Sequence, residues 1–312
     1  MRNAFADEIT SLAETDERIV LLSGDIGNRL FNTFRDRWPQ RFYNIGVAEA
    51  NLIGAAAGLA VCGLHPVTYT IAAFAVYRCF EQIRVDLAAQ HLPVVVVGTG
   101  AGLAYSANGP THHSCEDLAI LRTLPGLTLL SPCDAVELRL ALRYALTVSG
   151  PVYLRIGKKG EPIVHDSQPP RDITRPIQLR SGERILVLAT GVMVAAALEA
   201  ADQLRADGRA IEVVSLPVIK PFPSDWLHQR AGGFETVVTV EEHGVIGGLG
   251  GAVAELVSEW SAPRPRVLRL GTSDLYVHEA GEQAHLRQHY HLDVASIVER
   301  LQTAWLEAEN TP

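Results

Sequence analysis

The sequence predicts an α/β protein made of two doubly wound domains, each with a mainly parallel sheet covered by helices. The chain has 312 residues, and a chain of this length usually forms more than one domain, each with its own hydrophobic core. Apolar strand-like runs alternate with amphipathic helical stretches along most of it, as in a parallel sheet with helices on both faces. A segment with four prolines and many charges, at 158–183, interrupts this alternation. It predicts a linker between a first domain at 1–157 and a second at 184–312.

The individual elements are predicted from the change between short apolar runs and helical periodicity. In the first domain, the runs that predict strands lie at 19–23, 42–45, 65–70, 93–98, 127–131 and 152–155. Helical stretches fill most of the gaps, at 48–61, 74–89, 115–123 and 134–147. The second domain has predicted strands at 185–189, 211–215, 236–240 and 266–270, with helices at 192–206, 249–260 and 294–306.

Composition and charge exclude several classes of protein. A chain with 47% hydrophobic and 20% charged residues is not disordered. Its apolar runs are shorter than the roughly 18 to 20 residues of a membrane helix, so we expect no membrane contact. A net charge of -8 argues against a nucleic-acid partner. The acidic N-terminal segment lacks an apolar signal core, which predicts a cytoplasmic protein.

A glycine-rich run in the second domain has two interpretations. Glu-Glu-His at 241–243 ends a predicted strand, and Gly-Gly-Leu-Gly-Gly-Ala at 247–252 leads into a helix. A dinucleotide-binding fingerprint would look similar, but Val253 occupies its third glycine position. We favour the other interpretation, in which the glycines let the helix pack closely on the sheet.

Glu49 is the first candidate functional residue. It stands at the start of a predicted helix whose next turns are almost wholly apolar and small. A carboxylate there would be partly desolvated and able to share a proton with a heterocycle nitrogen. The alternative is a glutamate that only favours the positive end of the helix dipole, and the residues alone favour neither.

The second candidate site is the loop at 98–114, which contains four glycines before His112 and His113. Such a loop lets the backbone approach a ligand and presents an imidazole for proton transfer or hydrogen bonding. The alternative is a solvated helix cap, and the glycines favour function.

His285, His289 and His291 have a spacing that suggests a metal site. No carboxylate or thiol joins them in an obvious constellation. We therefore expect a solvated helix end and no metal bound by this chain.

Four ordered motifs resemble a known family. They are Gly-Val-Ala-Glu-Ala-Asn-Leu-Ile-Gly-Ala-Ala-Ala-Gly-Leu-Ala at 46–60, the stretch 74–90, Asn-Gly-Pro-Thr-His-His at 108–113, and Glu-Glu-His with Gly-Gly-Leu-Gly-Gly-Ala-Val-Ala-Glu within 241–255. In this order they resemble the C-terminal half of a transketolase over essentially the entire chain. The resemblance implies a pyrimidine-binding domain followed by the C-terminal domain of that family.

The resemblance implies thiamine diphosphate as the cofactor. Glu49 matches the catalytic glutamate that hydrogen-bonds the aminopyrimidine ring and supplies the proton by which the exocyclic amine comes to deprotonate the thiazolium carbon. Phe74 matches an aromatic residue that stacks on the pyrimidine, and Tyr77 matches a second aromatic of that pocket. Ordinary core packing at helical spacing is the alternative for both. Asp25 matches an aspartate near the cofactor at the subunit interface.

The resemblance also implies a site for a sugar or sugar phosphate. His112 matches a catalytic histidine that contacts the oxygens of the donor. Arg155 matches an arginine that binds substrate phosphate, with Lys158 and Lys159 as nearby helpers. The alternative for the two lysines is a solvated linker.

Departures from the family pattern predict an atypical substrate. Gly100 stands where transketolases commonly have a histidine, and Asn108 replaces the usual aspartate before Gly-Pro-Thr-His. Asparagine is a neutral donor and acceptor, so selectivity for hydroxyl stereochemistry should shift. His113, where glutamine is frequent, and Arg29, near a position that often carries serine, also differ. We expect Asn108, His113 and Arg29 to contact the substrate.

The chain lacks the superfamily's site for Mg²⁺ and diphosphate, which is Gly-Asp-Gly followed by an asparagine. Gly24-Asp25-Ile26 with Asn51 imitates it, but isoleucine replaces the second glycine. The resemblance therefore implies one subunit of a split transketolase. A separate partner subunit would bind the diphosphate and Mg²⁺, and two such pairs would form a heterotetramer.

Two alternatives to this function remain open. A decarboxylating relative, either a 1-deoxyxylulose-5-phosphate synthase type or the beta subunit of a 2-oxo acid dehydrogenase, would share most of the motifs. A noncatalytic scaffold subunit would keep the fold without turnover. The sequence Gly-Pro-Thr-His favours a transketolase, which transfers a two-carbon ketol unit from a ketose to an aldose.

Overall fold

The computed structural model describes residues 1–27, 29–165, 172–278 and 281–309. The strands in these residues are β1 (Ile19–Ser23), β2 (Phe42–Asn44), β3 (His65–Ile71), β4 (Val95–Thr99), β5 (Thr128–Leu130), β6 (Val152–Ile156), β7 (Ile177–Arg180), β8 (Ile185–Ala189), β9 (Glu212–Ser215), β10 (Val218–Lys220), β11 (Thr236–Gly244) and β12 (Arg266–Thr272).

Helices precede or follow most of these strands. They are α1 (Arg2–Ala13), α2 (Asn32–Arg37), α3 (Glu49–Val61), α4 (Ala72–Val76), α5 (Phe80–Gln82), which continues as a π-helical stretch (Ile83–Ala88), α6 (Asp117–Arg122), α7 (Ala135–Ala145), α8 (Met193–Ala206), α9 (Ser224–Ala231), α10 (Leu249–Ser258), α11 (Gln283–His289) and α12 (Val294–Glu309).

The first sheet has the strand order β10-β5-β6-β4-β3-β1-β2. The six strands from the first domain are parallel. Every residue of β1, β4 and β6 is buried because helices cover both faces of the sheet. The carboxyl ends of the parallel strands therefore share one edge, where α/β proteins usually bind ligands.

The second sheet has the order β12-β11-β8-β9-β7. Strands β8, β9, β11 and β12 are parallel, whereas β7 runs antiparallel to β9. The predicted α/β class with two mainly parallel sheets is thus confirmed. None of the described helices is both long and apolar enough to cross a membrane.

The linker predicted over 158–183 is too long at its C-terminal end. Residues 177–180 form β7, an edge strand of the second sheet. The apolar residues Ile177 and Leu179 alternate with polar ones and pack against two of the hydrophobic cores. The prediction was wrong here because an edge strand of four residues gives little periodic signal beside prolines and charges.

The helix predicted over 74–89 is also wrong as a single element. It divides into α4, which ends at Val76, and a second helical stretch that begins at Phe80. Four further elements have no counterpart among the predicted ones: α1, α2, α9 and β10. Strand β10 comes from the second domain but pairs antiparallel with β5 of the first sheet.

The glycine-rich run of the second domain is a packing feature. Gly250 lies on α10, and a side chain there would meet Thr239 Oγ1 at 2.8 Å and Arg269 Cγ at 2.9 Å. A side chain at Gly248 would overlap the carboxylate of Glu241. The favoured interpretation, close approach of the helix to the sheet, agrees with these contacts.

Candidate functional site

Glu49 lies at the carboxyl edge of the first sheet. As the first residue of α3, it follows β2 through a turn in which Gly46 has a φ of +76°. The side chain is buried, at 1% exposure. Thr70 Oγ1 donates a hydrogen bond to Glu49 Oε1 at 3.2 Å, and Arg78 Nη1 donates one to Oε2 at 3.1 Å. The carboxylate is thus held by β3 on one side and by a cation on the other.

Arg78 connects Glu49 with Phe74. Its guanidinium carbon lies 4.2 Å from the centroid of the Phe74 ring, while Nη1 contacts the carboxylate. A planar donor on an aromatic face is a cation–π contact. Arg78 was not among the predicted site residues, although its position carries a signal. A basic residue four positions after Phe74 lies on the same face as Phe74 when the chain is helical.

His112 extends this group of side chains. Its ring packs edge-on against Phe74, with centroids 4.9 Å apart, and its Nδ1 lies 2.9 Å from Thr111 Oγ1. Burial, together with the charges of Arg78 and Lys158, lowers the pKa of His112 below its ordinary value. This shift favours the neutral form of the imidazole.

Tyr105 and Lys158 lie beyond His112. The centroids of the Tyr105 and His112 rings are 6.0 Å apart, and Lys158 Nζ lies 4.2 Å from the centroid of the Tyr105 ring. We define the site row as Glu49, Arg78, Phe74, His112, Tyr105 and Lys158, each in contact with the next. It runs from a buried carboxylate to a partly exposed ammonium group.

Three other predicted residues lie near the row but face elsewhere. The Tyr77 hydroxyl hydrogen-bonds the carboxylate of Glu116 and accepts the backbone N–H of Glu116 at 3.2 Å. His113 is buried, and its Nε2 lies 3.5 Å from the carbonyl oxygen of Ser106. Asn108 is exposed at the end of a short 3₁₀ turn. Their roles at the cofactor or substrate remain predictions.

Asp25 and Arg29 lie on the other side of the β1 strand end. Asp25 has a φ of +57°, and its carboxylate accepts a hydrogen bond from Asn44 Nδ2 at 2.8 Å. Arg29 lines a surface cavity with Arg2 and Asp7, beside α1. Neither residue belongs to the site row, so the expected cofactor contact of Asp25 and substrate contact of Arg29 also remain predictions.

Arg155 lies in the contact between the two domains and outside the site row, so its expected role in binding substrate phosphate stays a prediction. Its side chain is 3% exposed, and its Nε lies 2.9 Å from Asp117 Oδ2. Its Nη2 donates to the carbonyl oxygens of Ser114 and Glu242, each at 2.9 Å. The guanidinium is engaged between the two domains, and Lys158, beyond the end of β6, is the cation that reaches the row.

Glu242 joins the loop at 98–114 to the second domain. Its buried carboxylate accepts the backbone N–H of Leu103 at 2.9 Å and Gln283 Nε2 at 2.8 Å, and it pairs with Arg287. A side chain at Gly102 would meet Glu242 Oε1 at 2.6 Å. The Glu-Glu-His motif therefore holds the loop against α11.

His243 is held in its neutral form. Burial lowers its pKa to about 4. Its Nε2 accepts the backbone N–H of Ala119 at 3.2 Å, and Nδ1 lies 2.8 Å from the carbonyl oxygen of Gly244, to which it donates. Burial also raises the pKa of Glu241 to about 7, although that carboxyl accepts two N–H groups of α10. His243 thus connects the two domains, whereas Glu241 binds the N-terminal end of α10.

A second buried polar cluster lies outside the site row. Cys133, Glu137 and His165 bring one sulfur, one carboxylate and one imidazole within 4.8 Å of one another. The Glu137 carboxylate already accepts hydrogen bonds from the Cys133 N–H and the Ser215 hydroxyl, both at 2.7 Å. His165 Nε2 lies 3.0 Å from the same carboxylate. These bonds satisfy the carboxylate, and the cluster ties α7 to β9 and to the segment after β6.

The histidines at 285, 289 and 291 do not form such a cluster among the described residues. His285 and His289 lie on α11, and His291 follows it with a φ of +56°.

Comparison with known proteins identifies the two domains. Residues 1–161 match the family model of the transketolase pyrimidine-binding domain, and residues 177–297 match that of the transketolase C-terminal domain. The chain belongs to the transketolase family. The resemblance inferred from the four motifs is thereby confirmed, and family membership implies dependence on thiamine diphosphate.

The relatives of this transketolase chain include separate subunits. It is 36% identical over 299 residues to the 6-deoxy-6-sulfo-D-fructose transketolase subunit SqwH of Clostridium sp. (strain MSTE9), covering 96% of this chain and 92% of that protein. It is 35% identical to 1-deoxy-D-xylulose-5-phosphate synthase 1 of Geobacter sulfurreducens, covering 99% of this chain but 48% of the synthase. A split-gene transketolase solved as an inactive beta4 tetramer superposes with a TM-score of 0.88 and 37% identity, over 97% of both chains.

Proposed function

We propose that this chain is one subunit of a two-subunit, thiamine diphosphate-dependent transketolase that transfers a two-carbon ketol unit from a ketose to an aldose. The observation that carries the proposal is the buried Glu49 carboxylate beside the Phe74 ring, linked by Arg78. A carboxylate and an aromatic face are the two features needed to bind and orient an aminopyrimidine. Separate subunits among the relatives support the division into two chains.

The donor set fits the pyrimidine part of the cofactor. Glu49 would hold a proton at a ring nitrogen, and Phe74 would stack on the ring. Thiamine diphosphate supplies the carbon nucleophile and the electron sink of the reaction when it is bound. Arg78 now contacts both Glu49 and Phe74, the two residues that would bind the pyrimidine. Its side chain, which is 48% exposed, would have to move aside for the ring to bind.

His112 would act on the substrate oxygens. Its neutral imidazole can donate a hydrogen bond to a donor oxygen and take part in proton transfer there. Lys158 would bind the far end of the sugar. SqwH is named for a sulfonated sugar and the synthase for a phosphorylated one, so we propose a substrate with a terminal anion.

The partner subunit would bind the diphosphate and Mg²⁺. In this chain, Asp25 pairs with Asn44 instead of belonging to a Gly-Asp-Gly motif. The complete site would form where the two kinds of subunit meet, in a heterotetramer.

Isothermal titration with thiamine diphosphate and Mg²⁺ tests the division of the site. We expect tight binding to the mixture of both subunits and not to this chain alone; tight binding to this chain alone would contradict the split. In the assembled complex, Glu49→Gln is expected to lower kcat by at least ~100-fold. The control is Glu81→Gln, an exposed carboxylate that pairs with Arg84. Full activity of Glu49→Gln would remove Glu49 from the mechanism.

The synthase relative supports a second candidate function, decarboxylation of a 2-oxo acid. The same complex should then release carbon dioxide from the 2-oxo acid and make no aldose from a ketose. A complex that forms with intact Glu49 but performs neither reaction would indicate a noncatalytic scaffold.

A further inference from the structure

Position 100 cannot carry a side chain in this backbone. Gly100 has a φ of +71°, a conformation that L side chains rarely adopt. A Cβ built there would overlap the ring of Tyr105. Tyr105 therefore could not keep its present position if residue 100 were the histidine that is common in transketolases.

The ring of Tyr105 is fixed between two parts of the site row. Tyr105 precedes the short 3₁₀ turn at Ser106–Asn108, and its carbonyl oxygen accepts the backbone N–H of Asn108 at 2.9 Å. One neighbour is the His112 ring, at 6.0 Å between centroids. The other is the Lys158 ammonium, at 4.2 Å from the ring centroid. The ring thus sets where the flexible lysine side chain lies relative to the imidazole.

We propose that Tyr105 is a specificity-determining positioning residue: its ring fills the space of the missing side chain at position 100 and holds Lys158 to bind a terminal anion, phosphate or sulfonate, on the sugar. A lysine is a mobile point charge on a long stem, and an aromatic face limits its positions. This inference rests on the proposed function. It explains why Gly100 and Tyr105 occur together.

The test is steady-state kinetics of the two-subunit complex with Tyr105→Leu and Tyr105→Phe. Three donors are compared: a ketose 6-phosphate, a 6-deoxy-6-sulfo ketose and the uncharged ketose. The leucine variant is expected to raise KM for whichever anionic donors the wild type uses by ~10-fold, the size of one cation–π contact. Its kcat/KM for the uncharged ketose should fall much less than its kcat/KM for those anionic donors, because the uncharged sugar has no terminal anion for Lys158 to bind. Phenylalanine keeps the ring and should rescue KM.

Two further measurements separate the possible failures. Inorganic phosphate and sulfate, used as competitive inhibitors, should bind more weakly to the leucine variant than to wild type. Tyr276→Leu is the control, because this tyrosine is 66% exposed and outside the row. Equal loss with charged and uncharged donors, or no change in KM or inhibition, would overturn the role of Tyr105. A wild-type complex that transfers a ketol unit from none of the three donors would instead refute the proposed function.

Discussion

Asp117→Asn tests the assignment of Arg155 to the contact between the domains. The fully buried Asp117 carboxylate accepts hydrogen bonds from Arg155 Nε at 2.9 Å and from the Tyr153 hydroxyl at 2.7 Å. Burial works against the ionised form, yet the Arg155 charge holds the pKa of Asp117 below its ordinary value. Asparagine keeps the size of the side chain but leaves the guanidinium buried without its counter-ion.

The expected loss in the free energy of unfolding is about 3 to 5 kcal/mol, the range for a buried ion pair that loses one partner. The whole free energy of unfolding of a protein is commonly about 5 to 15 kcal/mol, so the variant would be markedly destabilised. Asp202→Asn is the matched control. Asp202 pairs with Arg180 at the surface, with side-chain exposures of 48% and 38%. The loss in the free energy of unfolding of Asp202→Asn should lie below about 1 kcal/mol.

Urea unfolding followed by tryptophan fluorescence gives these free energies for the wild type and both variants. Equal losses for the two variants, or a loss below about 1 kcal/mol for Asp117→Asn, would refute the reasoning. Arg155→Lys adds a kinetic test. If Arg155 bound substrate phosphate, this variant would raise KM for a phosphorylated donor without lowering stability.

Three further predictions follow from the charges around the site. Because burial lowers the pKa of His243 from 6.5 to about 4 and raises the pKa of Glu241 to about 7, these two residues change the stability in opposite directions as the pH falls from 7 to 4. In urea titrations over this range, the wild type should lose about 3 kcal/mol more of its unfolding free energy than His243→Gln; an equal pH dependence of the two proteins would contradict the assignment. Lys158→Met removes a charge that lowers the pKa of His112, so the acid limb of the pH–kcat profile should move to higher pH, whereas Lys159→Met should leave it in place. Arg78→Met frees the Phe74 ring and the Glu49 carboxylate, which Arg78 now contacts. Calorimetry should therefore show tighter binding of thiamine diphosphate to the complex; weaker binding would indicate that Arg78 itself contacts the cofactor.

The central strands could be predicted from the sequence because they are buried on both faces. The apolar runs at 19–23 and 185–189 coincide with β1 and β8, in which every residue is buried. Short edge strands lack this signal. Strand β10 has three residues, and its partner β5 lies about ninety positions earlier in the chain, at residues 128–130.

The candidate site was predictable where a motif carried it. Glu49 and His112 stand in recognisable patterns, and the structure connects them through Arg78 and Phe74. Tyr105 belongs to no pattern, and only its three-dimensional contacts single it out. Arg78 carries one weak signal, its helical spacing from Phe74.

Arg155 shows what position-by-position matching leaves open. Successive side chains of a strand point to opposite faces, so a shift of one residue exchanges a ligand-facing position for an interior one. On β6 the arginine points into the junction with the second domain, and the lysine three residues later reaches the site row.

The pairing of β10 with β5 has a consequence for any attempt to produce the halves separately. A fragment that stops before residue 177 would expose the hydrogen-bonding groups of β5, which β10 now occupies. Unpaired edge strands of this kind pair with strands of other chains. The pyrimidine-binding half, expressed by itself, is thus expected to self-associate, and supplying the remaining polypeptide in trans should suppress that aggregation.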